Sequence, residues 1–228
     1  MKEIEVYWSH QSPYCYFALD RLLALKKHPQ VSLSLRPVLP GVIRDGGLFA
    51  ERSVVEQDYF LRDVARTAAF LGLPYGEARP YPVEFQPGTL YRAAPGQPRV
   101  FWLYYLTAAA LEVGKGWDFL DQISRLIWDG TTTNWHKTDV LRAAVAQAGL
   151  DYDDLAERAS RSEAAYDRLF AQNRDAMLQA GHWGVPLFVF EGEPFYGQDR
   201  FDQLLWRLGV PEKRLGDDGE KDRQKSQA

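Results

Sequence analysis

The hydrophobic pattern changes period several times along the chain. Ile4 to Trp8 is a short apolar run, and Val31 to Leu39, "V-S-L-S-L-R-P-V-L", alternates apolar and polar residues. Both predict strands. Pro13 to about Lys27 carries an amphipathic helical pattern between them. This βαβ start favours a parallel strand pair joined by a right-handed crossover. Phe60, Val64, Ala68 and Leu71 lie at helical spacing, and Gly72 and Pro74 close that element. Pro74 to Pro98 is rich in proline and glycine and predicts a long connection. Helices are then expected over Arg99–Val113, Trp117–Trp128, Asp139–Ala148 and Glu163–Ala180. Thr138 and Ser162 are the expected N-caps, and Gly149 and Gly181 the expected C-caps.

After Gly181 the period shortens again. "V-P-L-F-V-F-E-G-E-P-F-Y-G" predicts two short strands joined at Glu191-Gly192, and a last helix runs from Asp199 to Leu208. From Pro211 the chain is polar with charges of mixed sign, the composition of a disordered tail. The order is βαβ, a helical block, then ββα. The two ends must therefore pair in one mixed sheet, with the middle as an inserted lid. The expected division is residues 1–45 with 182–210, a helical insertion over 46–181, and a tail over 211–228.

Composition narrows the function. With 228 residues, 46% of them hydrophobic and 14% aromatic, the chain can bury a substantial core. A net charge of −4 argues against nucleic-acid binding, which favours a basic excess. No stretch approaches the ~20 apolar residues that span a bilayer, and no apolar signal core follows Met1. The expectation is a soluble, cytoplasmic protein that does not act at a membrane. One cysteine, Cys15, permits no internal disulfide and no cysteine-rich metal site. The four histidines show no paired ligand spacing, so no metal is expected.

Four places carry candidate chemistry. Ser12-Pro13-Tyr14-Cys15 opens the first helix and looks like a C-P-Y-C redox pair whose first cysteine is serine. Ser12 suits an N-cap and Pro13 the first helical position, so capping alone explains both. The same geometry presents free N–H groups and partial positive charge, which favour a bound anion or thiolate. Cys15, one turn into the helix beside Tyr16 and Phe17, is expected to be structural, since burial lowers thiol reactivity. Gly184-Val185-Pro186 precedes a strand: either an ordinary entry turn, or a cis proline that leaves the Val185 backbone ready to pair with a peptide-like ligand. In Gly197-Gln198-Asp199-Arg200, Asp199 either caps the last helix or joins Gln198 in gripping an α-amino group and a carboxylate. Arg200 is expected in a surface ion pair. His10 and His182 sit on loops expected to meet at one sheet edge, where each is either a general base or an ordinary loop histidine with no catalytic part.

S-P-Y-C, G-V-P before a late strand and G-Q-D-R-F-D-Q-L at the last helix, in this order, resemble the 2-hydroxychromene-2-carboxylate isomerase family and its kappa-class glutathione transferase relatives. These belong to the DsbA-like branch of thioredoxin folds. The resemblance extends to about Leu208, and "Y-F-L-R-D-V-A-R-T-A-A-F-L-G-L-P" looks like the family's first inserted helix. It implies an α/β, thioredoxin-like fold with a large all-helical insertion. It also implies glutathione as cofactor and a small aromatic or conjugated carboxylate as substrate. Ser12 would stabilise the glutathione thiolate with Tyr14 nearby. Val185, ahead of a cis Pro186, would pair with the cysteinyl backbone, and Gln198 and Asp199 would hold the γ-glutamyl end. Relatives with this fold often form homodimers.

The chain departs from the family pattern in named places. Where G-N-x-P-P and a glutathione-contacting lysine are usual, it has "D-G-G-L-F-A-E-R-S-V-V-E-Q", with Glu56 about where the lysine falls. Arg44 or Arg52 would then have to offset a carboxylate facing glutathione. Ser9 replaces the family's aspartate, and "D-G-T-T-T-N-W-H-K" also differs. Trp102, Tyr104, Tyr105 and Trp183 either line an apolar pocket or, for most of them, belong to the core. Two alternatives stand beside the isomerase reading: a DsbA-like oxidoreductase working as a monothiol through Cys15, and a non-catalytic thioredoxin-fold binding protein.

Overall fold

The computed structural model describes residues 1–46, 52–89 and 91–210. The tail over 211–228 and residues 47–51 of the D-G-G-L-F-A-E-R stretch lie outside the described residues. Strands β1 (Lys2–Trp8), β2 (Val31–Pro37), β3 (Leu187–Phe190) and β4 (Glu193–Tyr196) form one mixed sheet in the order β2-β1-β3-β4. β1 pairs parallel with β2, Val6 opposite Leu35, and antiparallel with β3, Val6 opposite Phe188. The two chain ends meet in the sheet, as the apolar pattern requires: a sheet face can be buried only if both runs contribute to it.

Side chains alternate across the strands. Ile4, Val6, Trp8, Phe188 and Phe190 share a large core with residues of α1 (Pro13–Lys26) and of α8 (Phe201–Leu208). Tyr7, Leu187 and Val189 cluster instead with Met177 from the helical block. After a short α2 (Gly41–Arg44), that block contains α3 (Val54–Leu71), α4 (Pro98–Glu112), α5 (Gly116–Trp128), α6 (Thr138–Gln147) and α7 (Tyr152–Gln179). α1 packs on α3 and α5, and α4 packs on α5 and α7. Ser53 and Glu56 cap α3 reciprocally, the Ser53 hydroxyl accepting from Glu56 N while the Glu56 carboxylate accepts from Ser53 N. No helix among the described residues is long and apolar enough to cross a membrane.

Three boundaries correct the sequence expectations. α7 begins at Tyr152, not Glu163, and Asp151 caps it by accepting from Asp153 N and Asp154 N at 2.8 and 3.0 Å. Ser162 therefore lies inside a helix whose buried residues, Tyr152, Leu155, Ala159, Tyr166, Phe170, Asn173 and Met177, recur every three, four or seven positions. Thr138 is the first residue of α6, and Lys137 precedes it without a side-chain cap bond. A 3₁₀ turn, Gln198–Arg200, precedes α8, so Asp199 is not its N-cap.

Candidate functional site

The site begins at the amino end of α1. Ser12 has extended backbone (φ −88°, ψ 114°), and its Oγ accepts from Cys15 N at 3.3 Å while Pro13 takes the first helical position. That bond uses a lone pair of the Ser12 hydroxyl and not its proton. A 14-residue helix places partial positive charge at this point. Ser12 and Tyr14 both line a cleft of about 970 Å³. The Tyr14 hydroxyl donates to Asp63 Oδ2 at 2.5 Å, tying α1 to α3. Burial and that carboxylate raise its pKa far above the ordinary tyrosine value.

The loop entering β3 supplies a second wall. Val185-Pro186 is a cis peptide. Val185 lines the cleft with Trp183 and Gly184, and its backbone makes no hydrogen bond to another described residue. Gly184 is required by space: a Cβ there would lie 2.3 Å from Tyr196 Cε2, so any side chain would displace the Tyr196 ring. Arg44 holds the loop from behind, donating from Nη2 to Trp183 O at 2.6 Å and from Nε to Leu39 O at 2.9 Å. Its Nη1 pairs with Asp45 at 2.6 Å, and Asp45 in turn pairs with Arg174 on α7. Of the two cations proposed to offset Glu56, Arg44 is thus fully engaged. Arg52 lies over the Tyr91 ring, 5.5 Å from its centroid, and its charge partly offsets the rise that burial gives the pKa of Tyr196.

Aromatic side chains supply much of the remaining wall. Phe60 comes from α3, Trp128 from the end of α5, and Tyr75, Tyr81, Phe85 and Tyr91 from the connection between α3 and α4. This connection is irregular yet firmly held. Pro74 O accepts from Tyr16 OH at 2.8 Å, Gly76 N donates to Trp128 O at 2.9 Å, and Pro80 O accepts from Trp135 Nε1 at 2.7 Å. Gly76 packs backbone to backbone on Gly130, where a Cβ on Gly76 would come within 2.5 Å of Gly130 Cα.

The expected site residues divide between the cleft and its surroundings. Ser12, Tyr14 and Val185 line it together, with buried Pro186 just behind. His10 does not face it. His10 is buried, and its Nε2 lies 2.9 Å from Thr107 Oγ1, which itself donates to Leu103 O. The ring must therefore donate to Thr107, and burial brings its pKa down to about 3. Cys15 is also buried, and burial pushes its thiol up to about 12 against the opposing hydrogen bonds from Ser9 and Ser12. His182 stacks on Tyr196 with centroids 3.9 Å apart, and its Nδ1 accepts from Gly184 N at 2.8 Å. Burial lowers its pKa. It supports the Gly184 loop and is not a cleft-lining residue.

Gln198 and Asp199 also stand outside the lining. Arg21 Nη2 donates to Gln198 O at 2.6 Å and to its Oε1 at 2.8 Å. Asp199 pairs with Arg200 at 2.7 Å, the expected surface ion pair of Arg200. Glu56 lines the cleft, but its carboxylate accepts from Ser53 N at 2.7 Å and from Ser53 Oγ at 3.0 Å. Those bonds hold its pKa below the usual carboxylate value. Of the four aromatics proposed for the pocket, Trp183 alone lines it. Trp102 donates to Tyr152 OH, Tyr105 to Asp167, and Tyr104 is buried against Ser9. The aromatic wall from the 74–98 connection was missed. Its signal was a long loop with four aromatic residues, where long loops in compact folds usually carry function.

A family model described as a DSBA-like thioredoxin domain matches residues 3–209. No curated protein matches the chain in sequence. Among solved structures, a 2-hydroxychromene-2-carboxylate isomerase aligns at 15% identity over 91% of this chain and 94% of its own, with a TM-score of 0.64. A probable DsbA oxidoreductase from Streptomyces coelicolor aligns at 20% identity over 92% of both chains, TM-score 0.61. The cytosolic disulfide reductase DsbM from Pseudomonas aeruginosa, in a structure with GSH, aligns at 18% identity over 91% of this chain and 100% of its own, TM-score 0.57. These identities bear on the fold alone. The match over nearly its whole length, on a four-stranded mixed sheet with an inserted helical block, places this chain in the family of DSBA-like thioredoxin domains.

Proposed function

We propose that the protein is a glutathione-dependent isomerase or transferase of the 2-hydroxychromene-2-carboxylate isomerase type, acting on an aromatic or conjugated electrophile. The observation that carries this reading is the joint lining of one cleft by Ser12, Val185 and an aromatic wall, while the single cysteine is sealed beneath it. A site for thiol chemistry whose own thiol is buried must take its sulfur from a ligand.

The residues present fit such a ligand. Ser12 has a hydroxyl proton to donate to a thiolate, and the amino end of α1 stabilises negative charge there. The Val185 backbone, with no hydrogen bond to another described residue, suits the peptide part of the ligand, and Arg52 lines the same cleft beside Tyr91. The grip assigned by resemblance to Gln198 and Asp199 requires Arg21 and Arg200 to release them. When bound, glutathione supplies a nucleophilic thiolate that adds reversibly to a conjugated electrophile. The chain's own residues hold that sulfur anionic, exclude water with aromatic rings and orient the electrophile. The monothiol alternative is disfavoured, since a buried thiol with a pKa near 12 is neither exposed nor ionised.

Calorimetric titration of reduced glutathione into the wild type and Ser12→Ala tests this. A hydrogen bond to a charged group contributes about 1.5–3 kcal/mol, so the variant is expected to bind at least about tenfold more weakly. Equal affinity in the two proteins, or no binding to the wild type, rejects the proposal.

A further inference from the structure

One wall of the cleft, beside Gln11, is a corner of three rings. Tyr75 and Trp128 lie nearly parallel, 13° apart with centroids at 6.3 Å, and Tyr81 stands at 79° to Trp128 with centroids at 6.1 Å. All three rings line the cleft, and the polar tips of Trp128 and Tyr81 are engaged. Trp128 Nε1 donates to His10 O at 2.9 Å, and Tyr81 OH accepts from Gln11 Nε2 at 3.1 Å. The Tyr81 proton is then directed elsewhere. The backbone contact of Gly76 with Gly130 fixes this corner, and with it the neighbouring Glu77.

Charge is divided unevenly along the cleft. Among the described residues, the charged ones that line the cleft are Arg44, Arg52, Glu56 and Glu77. Arg44 is enclosed by Asp45 and two carbonyls, Arg52 lies toward Tyr91 and Tyr196, and Glu56 is held by Ser53. Glu77 lines the cleft two residues after Tyr75, and its charge adds to burial in raising the pKa of Tyr75 and Tyr81. Faces of aromatic rings attract cations, and a nearby carboxylate adds to that attraction while repelling anions.

We propose that the Tyr75–Tyr81–Trp128 corner receives an aromatic group that is cationic or donates hydrogen bonds, and that Glu77 selects against ring carboxylates there. For what the bound ring then undergoes, this rests on the glutathione reading above; the binding preference does not. The resemblance alone would have implied a carboxylate in this position, so the corner narrows the substrate class in a direction of its own.

The test uses three ligands of one two-ring shape without glutathione: N-methylquinolinium, 2-naphthol and 2-naphthoate, each titrated by calorimetry. The cation is expected to bind about tenfold more tightly than the carboxylate, with the phenol between them. Glu77→Gln should erase most of that preference, and Glu77→Lys should reverse it. Tyr75→Leu should weaken all three ligands, locating them at the corner. Because Glu77 is exposed, these charge variants are expected to fold normally, as circular dichroism would show. Equal or tighter binding of 2-naphthoate by the wild type overturns the proposal, as does a preference that survives Glu77→Gln. Absence of binding by all three, or indifference to Tyr75→Leu, overturns it too. Ser12→Ala should bind the rings as the wild type does, so loss of the glutathione site and loss of this one are read separately.

Discussion

His10 should make the protein lose stability as pH falls through mild acid. The ring is fully buried and neutral, with a pKa near 3 against about 6.5 in the unfolded chain. Between those values the unfolded state binds a proton that the folded state refuses. Stability therefore rises with pH in this window and is lost as pH falls from about 6.5 toward about 3. The slope is roughly 1.4 kcal/mol per pH unit, so His10 alone removes about 2 kcal/mol between pH 7 and pH 5. Urea denaturation at pH 7, 6 and 5 of the wild type and of His10→Gln isolates this contribution. The variant is less stable at pH 7, because its amide replaces a ring packed edge-on against Tyr104. Its deficit relative to the wild type should shrink by about 2 kcal/mol by pH 5, since glutamine does not titrate. A deficit constant across the series would refute a buried neutral histidine. The same burial predicts that no activity profile near neutral pH reports His10 as a general base.

Two further outcomes follow from the surroundings of the site. Native Cys15 should resist a thiol reagent at neutral pH, with a thiolate fraction on the order of 10⁻⁵ for a pKa near 12, and should label promptly once urea unfolds the chain; fast native labelling would contradict its burial. Arg44→Met removes three hydrogen bonds that hold Leu39, Asp45 and Trp183. About 3 kcal/mol of stability should go with it, less than for a wholly unpaired buried charge because Asp45 keeps Arg174; a loss under 1 kcal/mol in denaturant titration would show the Trp183 loop is held by other contacts.

Much of the fold was legible because its causes are local. Ile4 to Trp8 and the V-S-L-S-L alternation set two strands, Ser12-Pro13 set the start of α1, and V-P-L-F-V-F-E-G-E-P-F-Y set the closing hairpin. The errors came where a local signal competed with packing. Ser162 has the chemistry of a cap, yet apolar residues at helical spacing on both sides of it bury against the helical block and carry α7 straight through. Asp199 has the same chemistry, but the turn that precedes α8 is 3₁₀ and its carboxylate goes to Arg200.

At the candidate site the division is sharper. Sequence alone determined that one cysteine forbids a dithiol cycle, that a serine stands at the helix start, and that Val185 precedes a proline, since these are matters of identity and spacing. Tertiary structure decided which side chains share a cleft. It turned His10 into the core and His182 behind Tyr196, and it occupied Gln198 with Arg21. It also brought Tyr75, Tyr81 and Trp128 from distant positions into one corner. The physical reason is that a side chain's direction is set by packing between elements far apart in sequence, and by which hydrogen-bond partner reaches it first. Neither is encoded in a residue's immediate neighbours.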